Sequence, residues 1–116
     1  MIKTYNEFLN EKYINFDLPD EKIILEVWED DKKLVLERII IPKELRNNGY
    51  GTKILNDICK YSDKKNKPIF LTPDTSFGAT SISRLKKFYK TFGFKNNKDL
   101  SVSQTMVRLS LNNKNN

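Results

Sequence analysis

The spacing of apolar residues shifts repeatedly along the chain, and each shift marks an element. In residues 1–11, Tyr5, Phe8 and Leu9 share one face at spacings of three and four, a short amphipathic segment. After a loop with Asp17, Pro19 and Asp20, residues 22–29 (KIILEVWE) alternate in part and are rich in β-formers, which predicts a strand. Asp30, Asp31 and Lys32 form a polar turn, and residues 33–41 (KLVLERIII) predict a second strand that completes an antiparallel hairpin. Apolar residues on both of its faces predict a central position in a sheet.

Pro42 ends that strand, and residues 43–51, with Gly49 and Gly51, read as a loop. From about Thr52 to Lys65 the period becomes helical, with Ile54, Leu55, Ile58 and Tyr61 on one face. Lys64, Lys65 and Lys67 stand near its end, where cations suit the helix dipole. Pro68 opens a short apolar run, IFLT, that predicts a buried third strand. Strand, helix and strand in this order form a parallel unit with a right-handed crossover. Residues 73–80 read as a loop and residues 81–92 as a second helix, with Ile82, Leu85, Phe88, Tyr89 and Phe92 on its apolar side. Ser81 or Thr80 is its expected N-cap, and Gly93 the residue that stops it. A short strand from Phe94 and an alternating one over residues 104–111 complete a single domain across residues 21–111. An N-terminal segment (1–20) precedes it, and a polar tail (112–116), expected to be disordered, follows.

Composition narrows the chemistry. Of 116 residues, 38% are hydrophobic and 31% charged, enough for one globular core and no more. The longest apolar runs are three residues, Ile39 to Ile41 among them, so no membrane-spanning helix is expected, and the first twenty residues hold no apolar signal region. With no histidine and a single cysteine, a disulfide framework, most zinc sites and histidine-based catalysis are excluded, and a cytoplasmic location is expected. Cys59, on the apolar side of its helix, reads as core rather than nucleophile. Chemistry is left to carboxylates, Tyr, Lys, Ser, Thr and the backbone. The net charge of +6 is uneven: residues 1–45 carry 7 basic and 11 acidic side chains, and residues 46–116 carry 14 basic and 4 acidic. A basic half suits nucleic acid, a phosphorylated cofactor or an acidic protein surface; a solvated lysine-rich surface has the same composition.

The segment IIIPKELRNNGYGTKIL, residues 39–55, places Arg-x-x-Gly-x-Gly between a strand and a helix. Two glycines let the backbone approach an anion. The helix that follows offers free N–H groups and a positive dipole end, which points to a phosphate or pyrophosphate site. A tight strand-to-helix turn would use the same residues. A dinucleotide fingerprint needs a third glycine and a Walker loop needs Gly-Lys-Ser/Thr, and neither stands here. Further on, Phe88-Tyr89-Lys90-Thr91-Phe92-Gly93-Phe94 closes the second helix.

In order and spacing these features, over residues 22–111, closely resemble the GCN5-related N-acetyltransferase (GNAT) superfamily, whose cofactor loop is Arg/Gln-x-x-Gly-x-Gly/Ala and whose later helix ends in Tyr, a short spacer and Gly-Phe. The resemblance implies an α+β chain with a minimal GNAT fold, a mixed, V-splayed sheet flanked by two main helices, and acetyl-CoA bound between two parallel strands. It implies that the backbone of Arg46, Asn47, Asn48, Gly49, Tyr50, Gly51 and Thr52 cradles the pyrophosphate. It implies that the strand ends at Ile39, Ile40 and Ile41 and at Leu71 and Thr72 separate, so that the backbone of Ile39 and Ile41 binds the acetyl carbonyl and the pantetheine amide. Tyr89 matches the family tyrosine that acts as general acid for the departing thiolate; an amphipathic core tyrosine is its other reading. The acceptor amine must lose a proton, and Glu37 is the candidate base, with a water chain as the alternative. Lying two residues before Ile39, Glu37 is expected on that residue's face and buried, where desolvation raises a carboxyl's pKa; a partner for a neighbouring Arg or Lys is its other reading.

Departures from the family carry expectations too. Its members usually begin with a further strand and two helices over the acceptor site, whereas about 20 residues precede the hairpin here, which implies an open acceptor side and a protein lysine as acceptor. Ile82 stands where the family often has Asn, and the loop at 73–80 is longer than usual. The plan, with Arg108-Leu109-Ser110 near its end, is similar to that of compact acetyltransferase-type anti-CRISPR proteins of phages, which implies an anti-defence effector in the host cytoplasm. An acetylated lysine loses its charge and its phosphate contact, so nucleic acid would enter through the acceptor. Residues 3–11 resemble the capsid-targeting leaders of T-even-type phages, cut after Leu/Ile-x-Glu, with Leu9-Asn10-Glu11 as the match, which implies packaging in the phage head; a docking helix or frayed terminus is the other reading. The competing functions are a non-catalytic basic module that binds nucleic acid or a host protein, and acetyl transfer to a small amine or to aminoacyl-tRNA.

Overall fold

The β-forming runs KIILEVWE and KLVLERIII produce the hairpin they predict: β2 (Ile24–Glu29) pairs antiparallel with β3 (Leu34–Ile40). Asp30 closes the turn, its Oδ1 accepting the backbone N–H groups of Lys32 and Lys33. Our computed structural model describes residues 12–75 and 81–111. The leader-like residues 1–11, the loop from residue 76 with the alternative N-cap Thr80, and the tail 112–116 lie outside the described residues. Within the stretch expected to precede the domain, β1 (Lys12–Ile14) pairs antiparallel with β2, so the sheet starts before residue 21.

Helix α1 (Tyr50–Lys65) begins two residues ahead of its apolar period. Gly49, at φ 76, turns the chain directly into the helix, and its carbonyl accepts the N–H of Lys53. The helix buries Ile54, Leu55, Ile58, Cys59 and Ser62. It stops at Asn66, whose left-handed φ of 57 lets the N–H groups of Asn66 and Lys67 close back onto the carbonyls of Asp63 and Ser62. The chain then returns as β4 (Ile69–Leu71), buried at all three positions and parallel to β3, which is the crossover unit the pattern predicts.

Helix α2 (Ile82–Lys90) is capped by Ser81, whose Oγ accepts the N–H of Arg84. Its stop is Gly93, at φ 97: the Gly93 N–H donates to the Lys90 carbonyl and the Phe94 N–H to the Tyr89 carbonyl. Leu85, Phe88, Tyr89 and Phe92 pack inward as expected, but Ile82, at the solvent end of the helix, is exposed. The chain ends in β5 (Lys95–Asn96) and β6 (Met106–Arg108). The last strand is shorter than residues 104–111, because its approach is committed to loop contacts. Asn97 Nδ2 donates to the Val102 and Gln104 carbonyls, and the Thr105 N–H donates to Thr72 Oγ1.

The sheet runs β1-β2-β3-β4-β6-β5, with β3–β4 parallel and the other pairs antiparallel. Both helices cover one face, where Val27, Leu34, Leu36, Ile69, Leu71 and Met106 meet Ile54, Leu55, Ile58 and Tyr89. Each such side chain contributes about 1.5–3 kcal/mol when fully buried. Val35, Phe70 and Val107 bury on the other face with Trp28 and Val102. This α+β arrangement, an open mixed sheet with two main helices, is the minimal GNAT-like fold that the resemblance implies.

Two polar ties lock the layers. Arg108, 7% exposed, grips Asp63 of α1 through both terminal nitrogens at 3.0 and 3.2 Å, and its Nε donates to the Phe92 carbonyl at the end of α2. Glu29, buried at the end of β2, accepts from Tyr61 Oη at 2.6 Å and from Lys67 Nζ at 2.7 Å. Burial pushes the Tyr61 hydroxyl up to about 12, with the hydrogen bond to Glu29 adding to it, so this tie stays protonated on the tyrosine side.

Candidate active site

The parallel pair opens at one end. Pairing between β3 and β4 runs from Leu34↔Ile69 to Leu36↔Leu71, and β3 then continues to Ile40. A β-bulge sits at that point: Val27 faces Leu36 and Glu26 faces Arg38, which leaves Glu37 as an extra residue in β3. Bulges bend a strand and increase its twist, and here the bend coincides with the parting. Leu36, Glu37, Ile39, Leu71, Thr72 and Tyr89 line the fork, with a cavity of about 30 Å³ between them.

Tyr89 reaches the fork from the last turn of α2. It is 6% exposed and held edge-on by Phe88 and Phe94, at ring-centroid distances of 5.5 and 5.7 Å. Burial pushes its hydroxyl up to about 12, so it keeps its proton at any physiological pH. Its two readings, core tyrosine and acid, are compatible in space, since the ring is packed while the residue lines the fork.

Glu37 differs from expectation. The bulge breaks the alternation that would place it with Ile39: Ile39 packs on the helix-side core, whereas Glu37 is exposed and accepts a hydrogen bond from Tyr13 Oη at 2.9 Å. Its partner is therefore a tyrosine hydroxyl rather than a neighbouring Arg or Lys, and the burial expected of it is absent.

The glycine loop lies beyond β3. Pro42 leads into a single 3₁₀ turn (Lys43–Leu45), and Asn47 and Gly49 adopt positive φ values of 68 and 76 before α1 begins. Asn48 Nδ2 donates to the Leu45 carbonyl and Arg46 Nε to the Ile41 carbonyl at 2.9 Å, so the Ile41 carbonyl is already engaged. Gly49 supplies no side-chain cap. The amides of Tyr50, Gly51 and Thr52 precede the first intrahelical bond, which Lys53 makes. Among the described residues a Cβ on Gly49 would meet nothing within 4 Å, so its positive φ rather than crowding sets the glycine there. A Cβ on Gly51 would lie 3.5 Å from Phe88 and 3.6 Å from Ile41, so the loop packs directly against the neighbour of Tyr89. Ile40 is paired on its other side with Ile24 of β2.

The structure thus gathers Glu37, Ile39, Leu71, Thr72 and Tyr89 at the fork and sets the Arg46–Thr52 loop against the same helix. Tyr13, Trp28 and Asp74 border this region as well and carry no motif. Among the described residues no three metal-ligating side chains cluster, and no helix is long and apolar enough to cross a membrane.

No family model matches the chain, and no curated protein matches it either. Among solved structures, the fold is similar to the crystal structure of the anti-CRISPR protein AcrVA5, with a TM-score of 0.64 and 13% identity, covering 84% of this chain and 97% of that one. At that identity the likeness is one of fold.

Proposed function

We propose that this chain is an acetyl-CoA-dependent N-acetyltransferase whose acceptor is a lysine on another protein, and that it serves against host defence. The observation that carries this reading is the fork: a parallel strand pair parting at Leu36↔Leu71, with a buried, protonated Tyr89 in its wall. The likeness in fold to an anti-CRISPR protein supports the anti-defence role.

The residues present fit acetyl-CoA. The amides of Tyr50, Gly51 and Thr52, with no described atom within 4 Å of a Cβ on Gly49, make a cradle for a pyrophosphate at a helix N-terminus. Beyond Leu36 the pairing with β4 has ended, so Ile39, with the Ile41 N–H, offers backbone groups on the β4 side of the strand to an amide-bearing arm, while Ile40 is paired with β2. Bound there, the cofactor supplies an acetyl group activated as a thioester. Tyr89 holds a proton at its hydroxyl oxygen for the departing sulfur. The Glu37 carboxylate takes a proton from the incoming ammonium, which frees the nitrogen lone pair for attack. The fork holds both partners in one geometry, which supplies much of the rate. Net, an amide and a thiol form and one proton is released. A lysine so modified loses its charge and any phosphate contact it made.

Calorimetric titration with acetyl-CoA tests the cofactor. Wild-type protein is expected to bind at one site, and Gly49→Val to bind at least about tenfold more weakly, since a branched side chain at this left-handed position strains the loop by roughly 1–2 kcal/mol and enters the cradle. A folded variant that binds acetyl-CoA as tightly as wild type would remove the assignment. Isotopically labelled acetyl-CoA added to host lysate should then label lysines of a discrete protein. Label confined to small amines would overturn the protein acceptor.

A further inference from the structure

The face of the sheet away from the helices carries a cross-strand row, Tyr13↔Trp28↔Val35↔Phe70. Glu37 follows Val35 by two residues and joins this face through its bond to Tyr13. Lys12, Tyr13, Trp28 and Glu37 line a cavity of about 350 Å³ that opens here to solvent. Tyr13 is 65% exposed. Glu37 lines both this outer cavity and the fork, so it is their shared wall, with Tyr89 on the fork's far side.

The walls offer a cation on a long stem two rings and a carboxylate, and the one cation among their described residues, Lys12, is turned toward Glu29 at 3.9 Å. Lys33 Nζ lies 5.6 Å from the Trp28 ring centroid, anchored by Asp30 at 3.0 Å, so this wall already seats one ammonium of the chain itself. Tyr13 offers a second ring to an incoming one. Glu26 has Arg38 at 3.3 Å, whereas Glu37 has a neutral hydroxyl as its partner among the described residues. An ammonium arriving at Glu37 adds to that bond and displaces no cation from it.

We propose that the outer cavity is the acceptor seat: a lysine side chain of a partner protein enters from the strand face, lays its methylenes along Tyr13 and Trp28, and sets its ammonium on Glu37 at the mouth of the fork. The proposal rests on the acetyltransferase reading. It also names the acceptor class. A passage with ring walls and a carboxylate at its inner end takes an unbranched stem charged at its tip, and an α-amine carries its charge beside the backbone with no such stem.

Trp28 is the only tryptophan in the chain, so its emission reports the cavity without any cofactor. The probes are a blocked pentapeptide with one central lysine, its norleucine analogue, a peptide with a free α-amine and no lysine, and 1,5-diaminopentane. The lysine peptide is expected to shift the emission saturably and the norleucine peptide to leave it unchanged. Glu37→Gln should weaken the response about tenfold, as for a lost charged hydrogen bond. Tyr13→Ala should weaken it about threefold, and in turnover should raise KM for the lysine peptide by more than it lowers kcat. Equal response to norleucine, indifference to Glu37→Gln, or a response only to the diamine or the α-amine would each overturn the seat. Acetyl-CoA binding and lysine turnover in the absence of any Trp28 response would sink the seat and leave the acetyltransferase reading intact. A lysine response without acetyl-CoA binding would do the reverse.

Discussion

Tyr89→Phe is expected to lower turnover by roughly ten- to a thousandfold while acetyl-CoA affinity stays nearly intact. The substitution keeps the ring that Phe88 and Phe94 pack edge-on, so the core should hold; only the hydroxyl proton at the fork is lost. Burial sets the pH signature. With the hydroxyl pushed up to about 12, the folded protein keeps this proton well past the usual tyrosine range. The kcat profile of the wild type should therefore show no tyrosine limb near pH 10, and the variant should be slow at every pH. Wild-type turnover in Tyr89→Phe would make the residue a core tyrosine and no more.

Arg108→Ala should destabilise the fold by about 3 kcal/mol, the lower end for one partner removed from a buried pair, because Asp63 keeps some contact with water. Three attachments go at once: the two bonds to Asp63 and the bond to the Phe92 carbonyl. For a domain of this size the melting temperature should fall by about 10 °C or more. Acid titration distinguishes the pair from simple packing. Burial alone would raise the Asp63 pKa, but the Arg108 guanidinium and the Leu111 N–H outweigh it and hold the carboxyl below its usual 3.8. The pair's contribution is thus fully present above the unfolded value near 3.8 and is lost as pH falls through the lower folded value. Wild type should lose stability over that acid range, and Arg108→Ala should lose less of it there. Parallel acid curves for the two proteins would show that Asp63 does not titrate against Arg108.

The parts of the fold set by short-range pattern were legible in the chain. Runs rich in β-formers placed β2 and β3, the three-four spacing placed α1 and α2, and the Gly93 stop and Ser81 cap came from local backbone chemistry. What lay hidden depends on partners distant in sequence. β1 is three residues, too few to show a period of two. Arg108 in an alternating strand reads as solvent-facing until Asp63, 45 residues away, is brought beneath it. Tyr13 meets Glu37 across 24 residues with no motif on either. The bulge at Glu37 left no mark, because LVLERII is apolar on both faces and so reads the same whether or not one of its residues goes unpaired. The fork residues were reached through a family resemblance rather than through period, since a loop of small residues and a buried tyrosine are each common in ordinary cores.

The bulge also bears on how this site could arise. Leu36 faces Val27 and Arg38 faces Glu26, so β2 is in step with β3 on either side of Glu37 as if that residue were not there. Excising it would leave the same partners, with Leu36 and Ile39 still toward the helices, and a flush ladder free to zip farther along β4. Swapping Glu37 for another amino acid changes the chemistry at the fork, whereas losing its codon would remove the bulge that bends β3 there. One in-frame triplet, gained or lost, would then separate a plain sheet from one with a slot through it, a change reachable in a single genetic step.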